Sequence, residues 1–179
     1  AELLFSLETL LFTTGEAHHA DRIEQIAYNA WPAMFTADLC AHQYVQQVNQ
    51  IEVSPKKRDW YDAYREANLF GLAPNFRCCA ANMHQGWPKL ISSFALTMPD
   101  GVCLQVYAPF TAKITISEVD VCLTEQTNYP FDGAIILRID KIANESASLA
   151  FSLRLRVPDW AESFALHLND EPINLSPRN

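Results

Sequence analysis

Pro99-Asp100-Gly101-Val102-Cys103-Leu104-Gln105-Val106 is the stretch on which the fold turns. A Pro-Asp-Gly turn is followed by apolar residues at every second position, the period of a strand with one buried face. The same period continues in Ile114/Ile116, Val119/Val121/Leu123, Ile135/Leu137/Ile139, Leu149/Phe151/Leu153/Leu155/Val157 and Phe164/Leu166/Leu168. Strands at such short spacing predict an antiparallel sheet or β-sandwich over residues 99–179.

Upstream of the turn the period is helical. Leu3, Leu4, Leu7, Leu10 and Leu11 form one stripe, and Gly15 is placed to end that helix. A second helix is predicted from about Asp21 to Ala33, with Asp21 and Glu24 at capping-box spacing and Ile23/Ala27 and Ile26/Ala30 as its apolar face. The two make an antiparallel helical hairpin. Gln43 to Val53 alternates loosely, as an extended segment or strand does. Ser54 to Asn75 is polar, aromatic and interrupted by Pro55, Gly71 and Pro74, which predicts a long loop with one short helix around Tyr61 to Ala67. Loops of that length often carry function. A third helical region runs from near Cys78 to about Thr97, restarting at Gly86-Trp87-Pro88 because Pro88 has no N–H to give and its ring meets the His84 carbonyl. The expected class is α+β, with a helical segment over 1–98 and a strand-rich segment over 99–179. The first helix is already under way at residue 2, which reads as a fragment of something longer.

Composition narrows the function. The 179 residues are 49% hydrophobic and 19% charged, which excludes a disordered tail or fibre. A formal charge of -8 repels nucleic acid and anionic lipid, so neither is an expected partner. No run approaches the ~18 to 20 apolar residues of a membrane span, and the start has no basic leader or small-residue cleavage site. The reading is a soluble protein, cytoplasmic by preference. Five cysteines are an odd number and form no C-x-x-C, so a disulfide scaffold and a zinc ribbon both fit poorly.

One local feature stands out: Asn75-Phe76-Arg77-Cys78-Cys79-Ala80-Ala81-Asn82-Met83-His84-Gln85-Gly86-Trp87-Pro88-Lys89. Adjacent cysteines entering a helix put sulfur near its positive end, and Arg77 adds a second field favouring thiolate. Such thiols suit metal ligation or nucleophilic attack. The same pair is also readable as two small buried hydrophobes, since free cysteine is among the most buried residue types.

The stretch from Cys78 to Lys89 resembles the signature of glycoside hydrolase family 127, the beta-L-arabinofuranosidase group once catalogued as DUF1680. Three further segments agree in order: Ala20-Asp21-Arg22-Ile23-Glu24 with Tyr28-Asn29-Ala30, then Gln43-Tyr44-Val45-Gln46-Gln47-Val48-Asn49-Gln50, and Arg156-Val157-Pro158-Asp159-Trp160. The resemblance implies the last part of an (α/α)6 barrel followed by the start of a β-sandwich. It implies a zinc ion held by a glutamate and three cysteines, the last two adjacent, a glutamate acid/base, and retention through a glycosyl-cysteine intermediate. Carried over, Cys78 is nucleophile and zinc ligand, and Cys79 zinc ligand only. The substrate implied is an arabinofuranoside of plant-type glycans.

The sequence departs from that pattern in one respect. It contains no Glu-x-Cys, and Cys40, Cys103 and Cys122 stand in the wrong contexts to replace the missing ligand. The expectation is that Glu-x-Cys and the acid/base glutamate are encoded just before Ala1, and that the chain alone has little or no activity. A chemical rationale exists for a sulfur nucleophile: retaining hydrolysis ordinarily uses two carboxylates, but zinc removes a thiol proton outright without a separate base.

Other residues carry weaker signals. His84, Gln85 and Trp87 are candidate sugar contacts, able to bond hydroxyls or stack on a ring face, and Tyr44 is a candidate to reach the same pocket. His84 is equally readable as a capped core histidine and Trp87 as a packed tryptophan, and core packing is the preferred reading of Tyr44. His18-His19 reads as a solvated turn, because adjacent side chains point apart and no third ligand is close in sequence. Asp59, Asp62 and Glu66 beside Trp60, Tyr61 and Tyr64 look like a wet helix face, and Lys56-Lys57-Arg58 like a loop crest. The competing class is a non-catalytic carbohydrate-binding or interaction module with its cysteines buried.

Overall fold

A computed structural model describes residues 1–59, 65–141 and 149–177. They form two compact units. Unit 1 comprises Ala1–Gly15 and Arg22–Ser93, and unit 2 comprises Glu16–Asp21 and Phe94–Asn179. The class is mixed α and β, with few helices and mainly antiparallel sheets.

In unit 1, helix α1 (Glu2–Thr14) buries Leu4, Glu8 and Leu11 and packs against helix α5 (Gly86–Ser92). Gly15 ends α1 at φ 72, the left-handed cap that costs glycine nothing, and its N–H donates to the Leu11 carbonyl at 2.8 Å. Helix α2 (Ala17–Gln25) begins earlier than the capping-box spacing suggests, and the division between units falls within it. It continues as a π-helix over Ile26–Ala30 and a last turn, α3 (Trp31–Ala33). Pro32 accounts for the widening: its ring would meet the Tyr28 carbonyl of a regular helix, and the wider turn, with Trp31 N–H donating to Ile26 O, relieves the clash.

Gln43 to Val53 forms no strand. It is held instead by single bonds: His42 pairs with Gly71, and the N–H groups of Tyr44 and Val45 both donate to Ala67 O, at 3.1 and 2.8 Å. Asn68 organises this region from the inside. Its amide donates to Val45 O and to Gln50 Oε1, while its carbonyl accepts from Ser54 N–H and Arg58. A one-turn 3-10 helix covers Arg65–Asn68; the rest of the helix expected around Tyr61, together with Trp60, Asp62 and Tyr64, lies outside the described residues. Lys56 and Arg58 both pair with Glu52, so this basic run is largely neutralised locally. Helix α4 (Arg77–Met83) precedes α5, and the restart before Pro88 falls at Gly86. A Cβ at Gly86 would run into the Trp31 ring, so the absence of a side chain lets α5 seat on the tryptophan.

The helical stretch ends at Ser92, and Ala95–Met98, expected as helix, is strand β1. Unit 2 continues with β2 (Gly101–Leu104), β3 (Phe110–Ile116), β4 (Val119–Thr127), β5 (Ile135–Lys141), β6 (Ser152–Leu155), β7 (Leu166–Leu168) and β8 (Glu171–Ile173). The first sheet has the order β1-β2-β6, and β2 pairs parallel with β6, Gly101 opposite Ser152 and Leu104 opposite Leu155. This departs from the all-antiparallel expectation. As the central strand, β2 is buried at all four positions, as strands covered on both faces are. The second sheet, β3-β4-β5, is antiparallel throughout. In β4, Val121, Leu123 and Glu125 face inward and alternate with more exposed neighbours. Two hairpins turn on left-handed pairs, Ser117-Glu118 and Asn169-Asp170, the backbone a two-residue turn demands.

Candidate functional site

The Cys-Cys island lies in unit 1. Asn75 adopts φ 65 and Phe76 is extended, so the chain swings into α4 with Phe76 at its N-cap and no side-chain cap. Cys78 and Cys79 therefore occupy the first turn of a seven-residue helix. Both are exposed, not packed as small hydrophobes, and their sulfurs are 4.0 Å apart. Two thiolates on one tetrahedral zinc, each at about 2.3 Å, stand about 3.8 Å from each other. The pair is thus spaced as two of four zinc ligands. Among the described residues no further His, Cys, Asp or Glu joins them in a group of three that could hold a metal ion.

Tyr44, carried by the strapped segment at Ala67, places its ring edge-on to Phe76 at 5.5 Å and lies close enough to Cys79 for the two groups to act on each other. Partial desolvation raises the Cys79 pKa, aided by the hydrogen bond and charge of Cys78, and the Tyr44 contact opposes it. Desolvation and the two sulfurs likewise raise Tyr44. For Cys79 this corrects the expectation that Arg77 and the helix end lower the thiol. The largest cause is burial, with the neighbouring Cys78 next.

The other candidates follow along the same two helices. Asn82 donates to the Cys78 carbonyl at 2.7 Å and accepts from Gln85 Nε2 at 3.0 Å, which ties Gln85 to the cysteine turn. His84 is exposed at the end of α4. Trp87 is 38% exposed and meets Trp31 edge to face, with ring centroids 6.3 Å apart. A concavity of about 460 Å³ in the same unit is lined by Glu66, Leu69, Phe70, Leu72 and Asn75 and does not include the cysteines.

Two groups were missed in the sequence. Glu8 is buried on α1, where burial raises its pKa while the Ser93 hydroxyl donates to it at 3.4 Å. Glu125 is buried on β4, accepts the Ala108 N–H at 2.8 Å and is pushed up to about 7 by burial. Their signal was present: Glu8 is one helical turn from Leu4 and near Leu11, and Glu125 continues the Val121/Leu123 alternation.

Within unit 2, two islands of the resemblance touch. Asp21 Oδ1 accepts from Arg156 Nη1 and, at 3.3 Å, from the Asp159 N–H. The Arg156 side chain is fully buried, and its Nε also donates to Gln105 O at 2.6 Å. Those islands are a structural joint.

Comparison with known proteins accords with the family reading. Residues 101–179 match the family model described as beta-L-arabinofuranosidase, GH127 middle domain. No curated protein matches the sequence. Among solved structures, a GH127 beta-L-arabinofuranosidase from Geobacillus stearothermophilus T6 is similar at TM-score 0.70 and 20% identity, over 96% of this chain and 26% of its own. A protein described as a glycoside hydrolase is similar at TM-score 0.72 and 21% identity, over 94% of this chain and 27% of its own. A GH127 beta-arabinofuranosidase is similar at TM-score 0.69 and 18% identity, over 98% and 27%. The chain therefore spans about a quarter of the length of these structures. The resemblance drawn from the sequence islands is borne out, and the fold is that of the corresponding part of these hydrolases. Among the described residues no helix is long and apolar enough to cross a membrane.

Proposed function

From a chain that resembles the GH127 beta-L-arabinofuranosidases in sequence and in fold, we propose that it supplies the Cys-Cys half of the active centre of a retaining glycoside hydrolase acting on arabinofuranosides of plant-type glycans. The helices of unit 1 would belong to the last part of an (α/α)6 barrel and the strands of unit 2 to the sandwich that follows it. The observation that carries the reading is two exposed sulfurs 4.0 Å apart on one helical turn, with the Tyr44 hydroxyl beside them.

Cys78 and Cys79 would be two zinc ligands, with Glu-x-Cys from polypeptide outside these residues completing the set. Bound there, zinc would keep the sulfurs deprotonated and oriented at neutral pH. Cys78 Sγ attacks the anomeric carbon as its bond to the leaving oxygen breaks. The acid/base glutamate, also contributed from outside, gives that oxygen its proton. The same carboxylate then takes a proton from water, which displaces the sulfur and restores the configuration. Tyr44 orients Cys79, and Gln85, His84 and Trp87 are the proposed sugar contacts. The test is made on the polypeptide that carries this chain with the Glu-x-Cys segment of its own gene. Cys78→Ser lowers hydrolysis of an aryl arabinofuranoside by at least about 10³-fold, and Cys79→Ser loses the metal. Turnover surviving in Cys78→Ser refutes the assignment.

A further inference from the structure

Glu16, His18 and His19 open α2 in unit 2, and one carboxylate oxygen and two imidazole nitrogens among them all lie within 4.8 Å of one another. We propose that these three residues form a binding site for a divalent cation of the zinc, nickel or copper class, one that needs neither Cys78 nor Cys79. The site goes beyond the hydrolase reading and does not depend on it. The adjacent histidines do not diverge as expected: their ring centroids are 3.9 Å apart, tilted by 48°. Gly15 breaks the preceding helix, and the His19 N–H closes a turn on the Glu16 carbonyl at 3.1 Å, which brings all three side chains to one side.

The spacing suits a metal. Glu16 Oε2 is 3.2 Å from His18 Nδ1. Two ligands at about 2.0 to 2.1 Å on a tetrahedral ion stand about 3.3 to 3.4 Å apart. The His19 ligand atom lies within 4.8 Å of the other two, a gap that rotation of its half-exposed ring can close. The backbone beneath is fixed, since Ala20 is fully buried and Asp21 is tied to Arg156 and to the Asp159 N–H. Donors on a held backbone lose less freedom on binding. Two imidazoles with one carboxylate favour zinc, nickel or copper over magnesium and calcium, which take oxygen ligands. Glu16 also offsets the positive pole of the helix it begins. Three protein ligands leave a position for water.

The experiment is calorimetric titration of zinc chloride into the full chain carrying Cys78→Ser and Cys79→Ser, both exposed positions. One equivalent of zinc is expected to bind, more weakly as the solution is acidified because imidazole ligates only when neutral. His18→Ala and His19→Ala should each weaken binding at least about tenfold, with circular dichroism unchanged, and magnesium chloride should give no binding heat. If the chain lacking Cys78 and Cys79 takes up no zinc, or if His18→Ala binds it as tightly as its parent, the site does not exist. Either result leaves the Cys78 hydrolase proposal standing.

Discussion

Replacing Asp21 by alanine tests how unit 2 is held together. Arg156 has no exposed side-chain surface, Asp21 has 11%, and the two meet directly. Once the carboxylate is gone the guanidinium loses this ion pair and keeps its bond to the Gln105 carbonyl and the Tyr107 ring 5.7 Å away. A buried ion pair adds little by itself, but deleting one partner strands the other charge, at a cost of about 3 to 5 kcal/mol. In a chain of this length that lowers Tm by about 6 to 20 °C, at 2 to 4 °C per kcal/mol. Urea unfolding gives the stability change, and hydrogen exchange at the β2 and β6 amides locates it. Because the loss comes from the stranded charge, Asp21→Asn combined with Arg156→Met should be far closer to wild type than Asp21→Ala. A loss below about 1 kcal/mol for Asp21→Ala, or a double variant worse than the single, refutes the reasoning.

Further outcomes follow from individual groups. Glu125 is raised from an ordinary 4.5 to about 7 in the folded chain, so folding takes up a proton between those values. Its neutral form is compatible with burial below pH 4.5, and stability falls as pH rises through 7, by roughly 3 kcal/mol in total. Glu125→Gln keeps an acceptor for Ala108 and should abolish this slope in denaturation midpoints from pH 4 to 8; an unchanged slope contradicts it. Gly101→Ala would drive its Cβ onto the Ser152 carbonyl, backbone that cannot yield without parting β2 from β6. Loss of cooperative unfolding and of β2 exchange protection is expected, and a stably folded Gly101→Ala contradicts it. Cys79, with its pKa raised, should react with iodoacetamide at pH 8 more slowly than free cysteine, as peptide mapping over time will show.

Where the sequence carried a strong period, the structure is as read. Gly15 caps α1, Gly86 restarts the helix before Pro88, and the alternations at Ile114, Val121, Ile135, Leu153 and Leu166 fall in strands. The misreadings have local causes. Ala95–Met98 is too short for period to separate strand from helix, and Glu171–Ile173 has a proline and only three residues. The parallel pairing of β2 with β6 joins residues some fifty apart in sequence, which alternation cannot report. Gln43 to Val53 alternates, yet its bonds go to Met34, Ala67 and Asn68 and build no ladder. At the candidate site the sequence singled out Cys78, Cys79 and Tyr44, and the structure brings these three near one another. Their exposure was not legible, because residue-type preference favours burial. The crowding of His18 on His19 follows from a turn set by Gly15, not from the residues' adjacency.

The central claim is that Cys78 bonds to sugar. Peptide mass spectrometry of the polypeptide joined to its Glu-x-Cys segment, quenched during turnover of a slow arabinofuranoside, tests it most directly. One pentosyl increment is expected on the peptide holding Cys78, absent in Cys78→Ser. A pentosyl group on a carboxylate, or turnover with Cys78 never modified, would contradict it.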